Sequence, residues 1–149
     1  MLNNDPRNTE TSELADMSDQ NQQPNAFSPA HLGKISSEPV DEIDLIPWQG
    51  SDIAVTLTCS EFTSLCPVTR QPDFGEIEIT YGPKAFLAET KSVKLYLTRF
   101  RDMGVFNEVL IDTIADDLNR QLNPRWVEVV GTFKSRGGIS IRVVAHREE

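Results

Sequence analysis

Alternation of apolar and polar residues predicts two β-strands in the middle of the chain. The runs DIAVTLTC, from Asp52, and GEIEITYGP, from Gly75, both place apolar residues at every second position. This period is typical of a strand that buries one face. The loop that joins the runs has a length that favours an antiparallel pair. The predicted core positions are Ile53, Val55, Leu57 and Cys59 in the first strand and Ile77, Ile79 and Tyr81 in the second.

Apolar residues spaced three and four apart predict two amphipathic helices after these strands. The first helix covers KSVKLYLTRFRDMG and is expected to end at Gly104, because glycine commonly terminates helices. The second covers FNEVLIDTIADDLNRQLNP and is expected to end before Pro124, since proline disfavours helical geometry in the residue before it.

Two further strand-like runs, RWVEVVGTF and ISIRVVAH, complete the chain, and the glycine pair between them suits a hairpin. The resulting order, ββααββ, predicts an α+β fold with one antiparallel sheet and two helices on one of its faces. Such a sheet has two open edges, and edges rich in Ile and Val promote aggregation unless they are covered. We therefore expect a homo-oligomer whose subunits pair edge to edge in a barrel.

The N-terminal part of the chain differs in composition from the rest. Residues 1–40 are rich in Asn, Gln, Ser, Asp and Pro, so they cannot bury enough apolar surface to offset the entropy of ordering. We predict a disordered polar tail over 1–40, in which His31 is solvated, and a folded domain over 41–149.

Charge and composition exclude several classes of function. A net charge of −9 gives no basic footprint for a phosphate backbone, so no direct nucleic-acid partner is expected. No run approaches the roughly 18 apolar residues of a membrane span, and the polar N-terminus lacks the apolar core of a signal peptide. We expect a cytoplasmic protein.

Two cysteines are too few for a disulfide framework, so reduced thiols are expected.

The segment EFTSLCPVTRQPDF carries the first candidates for chemistry. Cys66 is either a small apolar filler or a nucleophile, since nearby cationic groups lower the pKa of a loop thiol. Asp73 lies seven residues later and either caps a turn or exchanges a proton with the thiol. The second role requires the loop to fold back, because seven extended residues span about 23 Å.

The segment ETKSVKLY opens the first predicted helix. In one interpretation, Glu89 interacts with the helix dipole and the two lysines are solvated. In the other, Thr90, Lys91, Ser92 and Lys94 form an anion site for phosphates at the helix N-terminus. The sequence has no glycine-rich nucleotide motif, so a dinucleotide would bind outside the familiar glycine-rich folds.

Two charged residues elsewhere have similar double interpretations. Glu108 opens the second helix, where it either interacts with the helix dipole or accepts paired hydrogen bonds from an amidine-type N–H pair. Arg136 is either an ordinary hairpin arginine or a phosphate contact.

Together with the cysteine segment and ETKSVKLYLTRFR, the segments FNEVLIDTIADDL, NPRWVEVVGTF and RGGISI resemble the short, single-module NADPH-dependent 7-cyano-7-deazaguanine reductases. The resemblance runs from about residue 48 to residue 146. It implies the tunnelling fold (T-fold), which is related to that of GTP cyclohydrolase I. It also implies an oligomeric barrel, usually a decamer of two face-to-face pentameric rings, with sites at subunit boundaries.

The resemblance implies a nitrile reduction in the biosynthesis of the tRNA nucleoside queuosine. Cys66 matches the nucleophile that adds to the nitrile carbon as a thioimide, and Asp73 matches the acid that protonates the nitrile nitrogen. Two hydride transfers from NADPH would then give 7-aminomethyl-7-deazaguanine. The residues that match substrate contacts are Ala88, Glu89, Thr90, Asn107 and Glu108, and those assigned to NADPH are Lys91, Ser92, Lys94 and Arg136.

One residue departs from the family pattern, and two other functions stay open. Asn107 stands where the family usually has His, and Asn cannot titrate near neutral pH.

The alternative functions are an amidinotransferase of the same fold that acts on nitrile-modified tRNA, and a non-catalytic purine- or pterin-binding module. No metal is expected, because a Cys/His ligand set is missing. The spacing leaves open whether Cys59 and Cys66 form a protective disulfide.

Overall fold

The computed structural model describes residues 27–148. Its elements are β1 (Leu45–Pro47), β2 (Val55–Leu65), β3 (Pro72–Gly82), β4 (Phe86–Ala88), α1 (Thr90–Thr98), α2 (Asn107–Leu122), β5 (Trp126–Arg136) and β6 (Ile139–Glu148). The long elements follow the predicted order ββααββ, which confirms the α+β class. The sequence pattern did not predict the short strands β1 and β4.

The four long strands form one antiparallel sheet in the order β2-β3-β5-β6. The short strands β1 and β4 pair separately. Within the described residues, β2 and β6 are therefore the edges of the larger sheet. Ile77, Ile79 and Tyr81 of β3 are almost completely buried, as their alternation predicts.

Both helices cover the face of the sheet that carries these β3 side chains. α2 packs on β5 and β6, and α1 lies along β2. Each fully buried Ile or Leu in this layer contributes roughly 1.5–3 kcal/mol to stability. Gly131 of β5 allows α2 to approach closely, because a Cβ atom there would lie 2.5 Å from Ile111 Cδ1.

α1 ends earlier than predicted. It stops at Thr98, whereas the apolar period favoured a helix up to Gly104. Arg99, Phe100 and Arg101 instead donate backbone hydrogen bonds to residues three positions earlier, which tightens the chain into turns. These turns bring the backbone of residues 103–105 against the end of β2, and this pairing takes the place of the last helical turn.

Irregularities in two strands affect the site. β2 shifts register between Cys59 and Phe62, and it continues to Leu65, well beyond the predicted strand. The β5–β6 ladder shifts between Phe133 and Arg136, and Gly137 and Gly138 close the hairpin with φ values of 55° and 83°. The glycine pair thus forms the predicted hairpin, because these left-handed angles favour glycine.

The predicted tail falls into two parts. Residues 1–26 lie outside the described residues. Over residues 30–32 the backbone N–H groups donate to the carboxylate of Asp44, a residue that is only 7% exposed. Composition did not indicate these contacts between the segment and the domain.

No helix in the described part of the chain is long and apolar enough to span a membrane.

Candidate active site

The Cys66 loop is a tight connection between β2 and β3. Cys66 N donates to Gln71 O at 2.9 Å, and Arg70 N donates to Cys66 O at 3.0 Å. Arg70 adopts a left-handed φ of 60°, which lets the chain reverse. The loop therefore folds back, as an exchange between Cys66 and Asp73 requires.

Asp73 faces Ser64 across the ladder, two positions before Cys66. Residues in such a diagonal relation on one face have Cα atoms about 7–8 Å apart. The thiol and the carboxyl group thus leave the same end of the hairpin. The Asp73 side chain is only 12% exposed, and this burial shields it from bulk water.

The surroundings of Cys66 favour its thiolate. They lower the pKa of the thiol to about 7, chiefly through a hydrogen bond with the Thr69 hydroxyl. Hydrogen bonds from the backbone N–H groups of Thr69 and Val68 act in the same direction, as does the Arg136 guanidinium, while burial opposes them. A large fraction of this thiol is therefore a nucleophilic thiolate at neutral pH.

Arg136 reaches this hairpin from the end of β5. Its Nη2 atom lies 2.7 Å from Asp73 Oδ1 and donates to the carbonyl oxygens of Gln71 and Pro72 at 3.1 and 3.0 Å. The structure therefore places Arg136 beside the acid and the thiol, and away from the other residues that the sequence assigned to the cofactor.

The chain that leads into α2 packs against the same loop. Leu65 N donates to Met103 O and Val105 N donates to Leu65 O, both at 3.0 Å. A Cβ atom at Gly104 would lie 2.7 Å from Arg70 Nη1 and 3.3 Å from Pro67 Cα. A side chain at residue 104 would have to displace the end of Arg70 and press on the Pro67 backbone, and this close approach places the first turn of α2 near Cys66.

Two buried oxygen atoms in this region lack hydrogen-bond partners among the described residues. They are Ser64 Oγ, opposite Asp73, and Asn107 Oδ1, in the first turn of α2. Buried polar atoms normally have partners, so these two oxygen atoms are exceptions within the described residues. Glu108, the next residue, exposes its carboxylate to solvent.

The ETKS segment has a different arrangement. Glu89 is the N-cap of α1, and its carboxylate accepts hydrogen bonds from Lys91 N and Ser92 N, both at 2.8 Å. Ser92 Oγ donates to Glu89 O at 2.7 Å and accepts from Asp44 N at 2.9 Å. The cap therefore occupies amide groups that an anion site at this helix would use.

The two lysines of this segment point to different partners. Lys91 Nζ donates to the carbonyl oxygens of His31 and Lys34. Lys94 lines a groove of about 450 Å³ between β2 and α1, and with Arg101 it also lines an adjoining recess of about 90 Å³. Lys94 and the exposed Thr90, which also lines the groove, therefore fit a phosphate-bearing cofactor better than the buried Ser92 does.

The predicted site residues thus fall into two groups in one chain. Asp73 marks one end of β3, while Ala88 N donates to the Tyr81 hydroxyl near the other end at 2.9 Å. Eight residues of strand, at about 3.3 Å each, separate Asp73 from Tyr81 by about 26 Å. The first group comprises Cys66, Asp73, Asn107, Glu108 and Arg136, and the second comprises Ala88, Glu89, Thr90, Lys91, Ser92 and Lys94.

Both cysteines are free thiols. Cys59 lies within β2 and Cys66 directly follows it, so the extended strand separates them by about 23 Å. A disulfide needs Cα atoms within about 7 Å, so this geometry excludes a bond between them in one folded chain.

Residues 27–148 contain no group of three or more His, Cys, Asp or Glu side chains that could hold a metal ion.

Sequence reasoning gave Ser64 and Thr69 no role beyond that of loop neighbours of Cys66, and it gave Gly104 no role at the site. The register shift between Cys59 and Phe62 reverses the alternation of β2, so extending the sequence pattern would have placed Ser64 on the exposed face. Gly104 was interpreted as a helix terminator, and the sequence gives no signal of its contact with Pro67 and Arg70. The hydroxyl bond of Thr69 depends on the folded loop.

Comparisons with known proteins identify the family of the chain. Residues 72–149 match the family described as QueF-like protein. The chain is 56% identical over 96 residues to the NADPH-dependent 7-cyano-7-deazaguanine reductase of Helicobacter pylori (strain P12), a match that covers 64% of this chain and 65% of that protein. It is 48% identical over 103 residues to the protein of the same name from Anaeromyxobacter dehalogenans (strain 2CP-C), covering 69% of this chain and 84% of the relative.

The matched region thus spans about 65% of the length of the Helicobacter pylori relatives. Among solved structures, the archaeosine synthase QueF-Like in the apo form aligns with a TM-score of 0.58 at 20% identity, over 66% of this chain and 95% of that one. This likeness concerns the fold alone, and it confirms the predicted tunnelling fold. On the family match and on these relatives, the chain belongs to the QueF-like protein family.

Proposed function

We propose that this protein reduces the nitrile of 7-cyano-7-deazaguanine to an aminomethyl group with NADPH, in the biosynthesis of queuosine. The observation that carries the proposal is the hairpin that holds Cys66, a thiol with a pKa of about 7, beside the shielded acid Asp73. The names of the similar relatives support the substrate and the cofactor.

In the first step the Cys66 thiolate attacks the nitrile carbon. A carbon–sulfur bond forms, one carbon–nitrogen π bond breaks, and its electron pair moves to nitrogen. Asp73 takes the thiol proton and delivers it to that nitrogen, so the thioimide forms without net proton uptake. Burial of Asp73 keeps this proton from exchanging freely with water.

When bound, NADPH would supply the two hydrides that convert a nitrile to an amine. One further proton reaches the nitrogen to complete the neutral amine and one returns to the Cys66 thiolate, and Asp73 is the group that would pass them on. Cys66 must leave as a thiolate before the second hydride arrives, and a low thiol pKa makes it a good leaving group. Lys94 and Thr90 in the groove along α1 are the residues that we assign to the cofactor, with Arg101 beside them.

The substrate base needs a partner for its guanidine-like edge. The exposed Glu108 carboxylate accepts a pair of parallel N–H bonds, and the unpartnered Asn107 Oδ1 offers a further acceptor. Asn107 orients the base in this scheme and moves no proton, because an amide does not titrate near neutral pH.

The separation of the two residue groups leads to a composite site. A complete site would combine Cys66 and Asp73 of one subunit with the ETKS segment of another, in a homo-oligomer such as a decamer of two pentamers.

Mixed oligomers test this arrangement. We expect Cys66→Ala and Lys94→Glu proteins, each inactive alone, to recover activity after joint refolding. Recovery in no mixture, despite co-assembly detected by two affinity tags, would contradict a shared site.

Intact-protein mass spectrometry tests the function itself. The protein is mixed with 7-cyano-7-deazaguanine first without NADPH and then with it. We expect an adduct on Cys66 that NADPH discharges as the aminomethyl product, an adduct with Cys59→Ala, and none with Cys66→Ala. An adduct that NADPH leaves in place favours the amidinotransferase, whereas tight binding without an adduct favours the purine-binding module.

A further inference from the structure

Arg136 connects three parts of the candidate active site. The antiparallel β3–β5 ladder pairs Gly75 with Phe133, and the same register three residues further sets Arg136 opposite Pro72. From there a single nitrogen, Nη2, contacts Asp73 Oδ1, Gln71 O and Pro72 O within 3.1 Å. The fold thus brings this guanidinium to the hairpin from more than 60 residues away in sequence.

The Gln71 carbonyl oxygen accepts two hydrogen bonds and so links the Cys66 loop to the partner of Asp73. It accepts from Cys66 N at 2.9 Å and from Arg136 at 3.1 Å. Arg136 in turn pairs with the Asp73 carboxylate at 2.7 Å. A continuous chain of hydrogen bonds therefore runs from the Cys66 backbone through Gln71 and Arg136 to Asp73.

From this geometry we infer that Arg136 is a positioning residue for the addition step, which fixes the Cys66 loop and holds the Asp73 carboxyl group beside it. The inference rests on the proposed function and names a residue that the reaction would require. It replaces the phosphate contact that the sequence predicted for Arg136. Asp73 already pairs with Nη2 of this guanidinium at 2.7 Å, so the positive charge that a phosphate would use is partly compensated.

Several charged groups on the elements packed around the loop bear on Cys66. They are Arg136 on β5, Asp73 on β3, Arg70 within the loop, Arg101 and Asp102 after α1, and Glu108 on α2. Arg136 is the one of these that forms a hydrogen bond which lowers the pKa of the thiol. Its loss would remove that bond and leave the Asp73 charge uncompensated, and both changes raise the pKa of Cys66.

The pH dependence of Cys66 alkylation tests this role without nitrile or NADPH. The rate with iodoacetamide is measured from pH 5 to 10 in a Cys59→Ala background. We expect Arg136→Gln to move the midpoint upward from about 7 and to slow nitrile adduct formation, measured without NADPH, by about tenfold or more. Lys134→Gln removes a positive charge from an exposed position on the same strand and is expected to leave both readouts unchanged.

Arg136→Lys provides the second variant, and it carries the test if Arg136→Gln fails to fold. It keeps a charge beside Asp73 but lacks the planar fork of the guanidinium. We expect its alkylation midpoint to lie between those of the wild type and the Gln variant, with adduct formation still slowed. The inference would be overturned if both variants had the alkylation profile and the adduct rate of the wild type. If their KM for NADPH were also raised, Arg136 would be a cofactor contact instead. If the wild type forms no nitrile adduct, the proposed function fails, while the alkylation profiles still decide whether Arg136 controls the thiol.

Discussion

The carboxylate of Glu89 accepts a 2.8 Å hydrogen bond from the backbone N–H of Ser92, and both residues are buried at the start of α1. The second carboxylate oxygen accepts from Lys91 N at the same distance. Glu89 therefore satisfies two of the amide groups that a helix leaves unpaired at its N-terminus. This role exists whether or not Glu89 also contacts a ligand.

We expect Glu89→Ala to lower the free energy of unfolding by about 1–2 kcal/mol, because it removes the cap and leaves buried N–H groups unpaired. Glu89→Gln keeps one acceptor oxygen and should have a smaller effect. Urea unfolding followed by circular dichroism measures both. Glu42→Ala, at an exposed position, is the matched control. Equal stability of the Glu89→Ala and Glu42→Ala proteins would contradict the capping role.

Asp44 should make folding stability depend on acid pH. Burial raises the pKa of its carboxyl group, but hydrogen bonds from the backbone of His31, Ala30 and Leu32 outweigh it, and the net shift is downward. A lowered pKa in the folded state means that the stabilisation is complete above the unfolded value of about 3.9 and is lost as pH falls through the folded value.

We therefore expect Asp44→Asn to destabilise the protein by about 1–3 kcal/mol at pH 7, because an amide offers only one acceptor oxygen. The difference from the wild type should shrink below about pH 3.9. Urea midpoints measured from pH 2.5 to 7 follow it. Asp41→Asn serves as control, since Asp41 is highly exposed and its ion pair with Arg99 contributes little. A difference that is constant with pH would show that the carboxylate charge is not involved.

The hydroxyl of Thr69 is the largest cause of the low pKa of Cys66. We expect Thr69→Ala to move the alkylation midpoint from about 7 towards the free-thiol value of about 8.5. Thr69→Ser keeps the hydroxyl and should leave the midpoint near that of the wild type. Rates are measured in the Cys59→Ala background. Identical profiles for the Ala and Ser variants would show that the hydroxyl does not stabilise the thiolate.

Gly131 and Ile111 should be energetically coupled. A Cβ atom at Gly131 would lie 2.5 Å from Ile111 Cδ1 and 2.8 Å from Phe133 Cε2. We expect Gly131→Ala to cost about 1–3 kcal/mol through overpacking, and Ile111→Val about 0.5–1.5 kcal/mol. Because valine lacks the Cδ1 atom, the double variant should be less destabilised than the sum of the two. A double-mutant cycle by urea unfolding measures this coupling, and additive effects would contradict the contact.

Much of the fold follows from the sequence because its elements have strong local signals. α2 ends at Leu122, as Pro124 and the apolar period predict, and Asn123 caps it with a left-handed φ of 44°. α1 is different, since the apolar period continues to Met103 while the helix stops at Thr98. The backbone pairing of Met103 and Val105 with Leu65 decides this boundary, and such a tertiary contact leaves no periodic signal.

The site was less predictable than the fold. The sequence could nominate Cys66 and Asp73 as chemical groups, but their approach depends on the left-handed Arg70 and on the register of β2 and β3. The position of Arg136 depends on the register between β3 and β5, which residue types alone do not determine. For the same reason, the sequence grouped Arg136 with the lysines of α1, whereas the structure places it at the Cys66 hairpin.

The contact between Arg136 and the Cys66 hairpin also bears on when the chain acquires its reactive thiol. The hydrogen bond from Arg136 to Pro72 joins residues 64 positions apart, and contacts of such long range form late because closing the intervening chain is slow. The β2–β3 hairpin can form locally before β5 arrives. A partly folded or newly synthesised chain would then hold a cysteine without its arginine neighbour, and its full nucleophilicity would develop only as the last strands join the sheet.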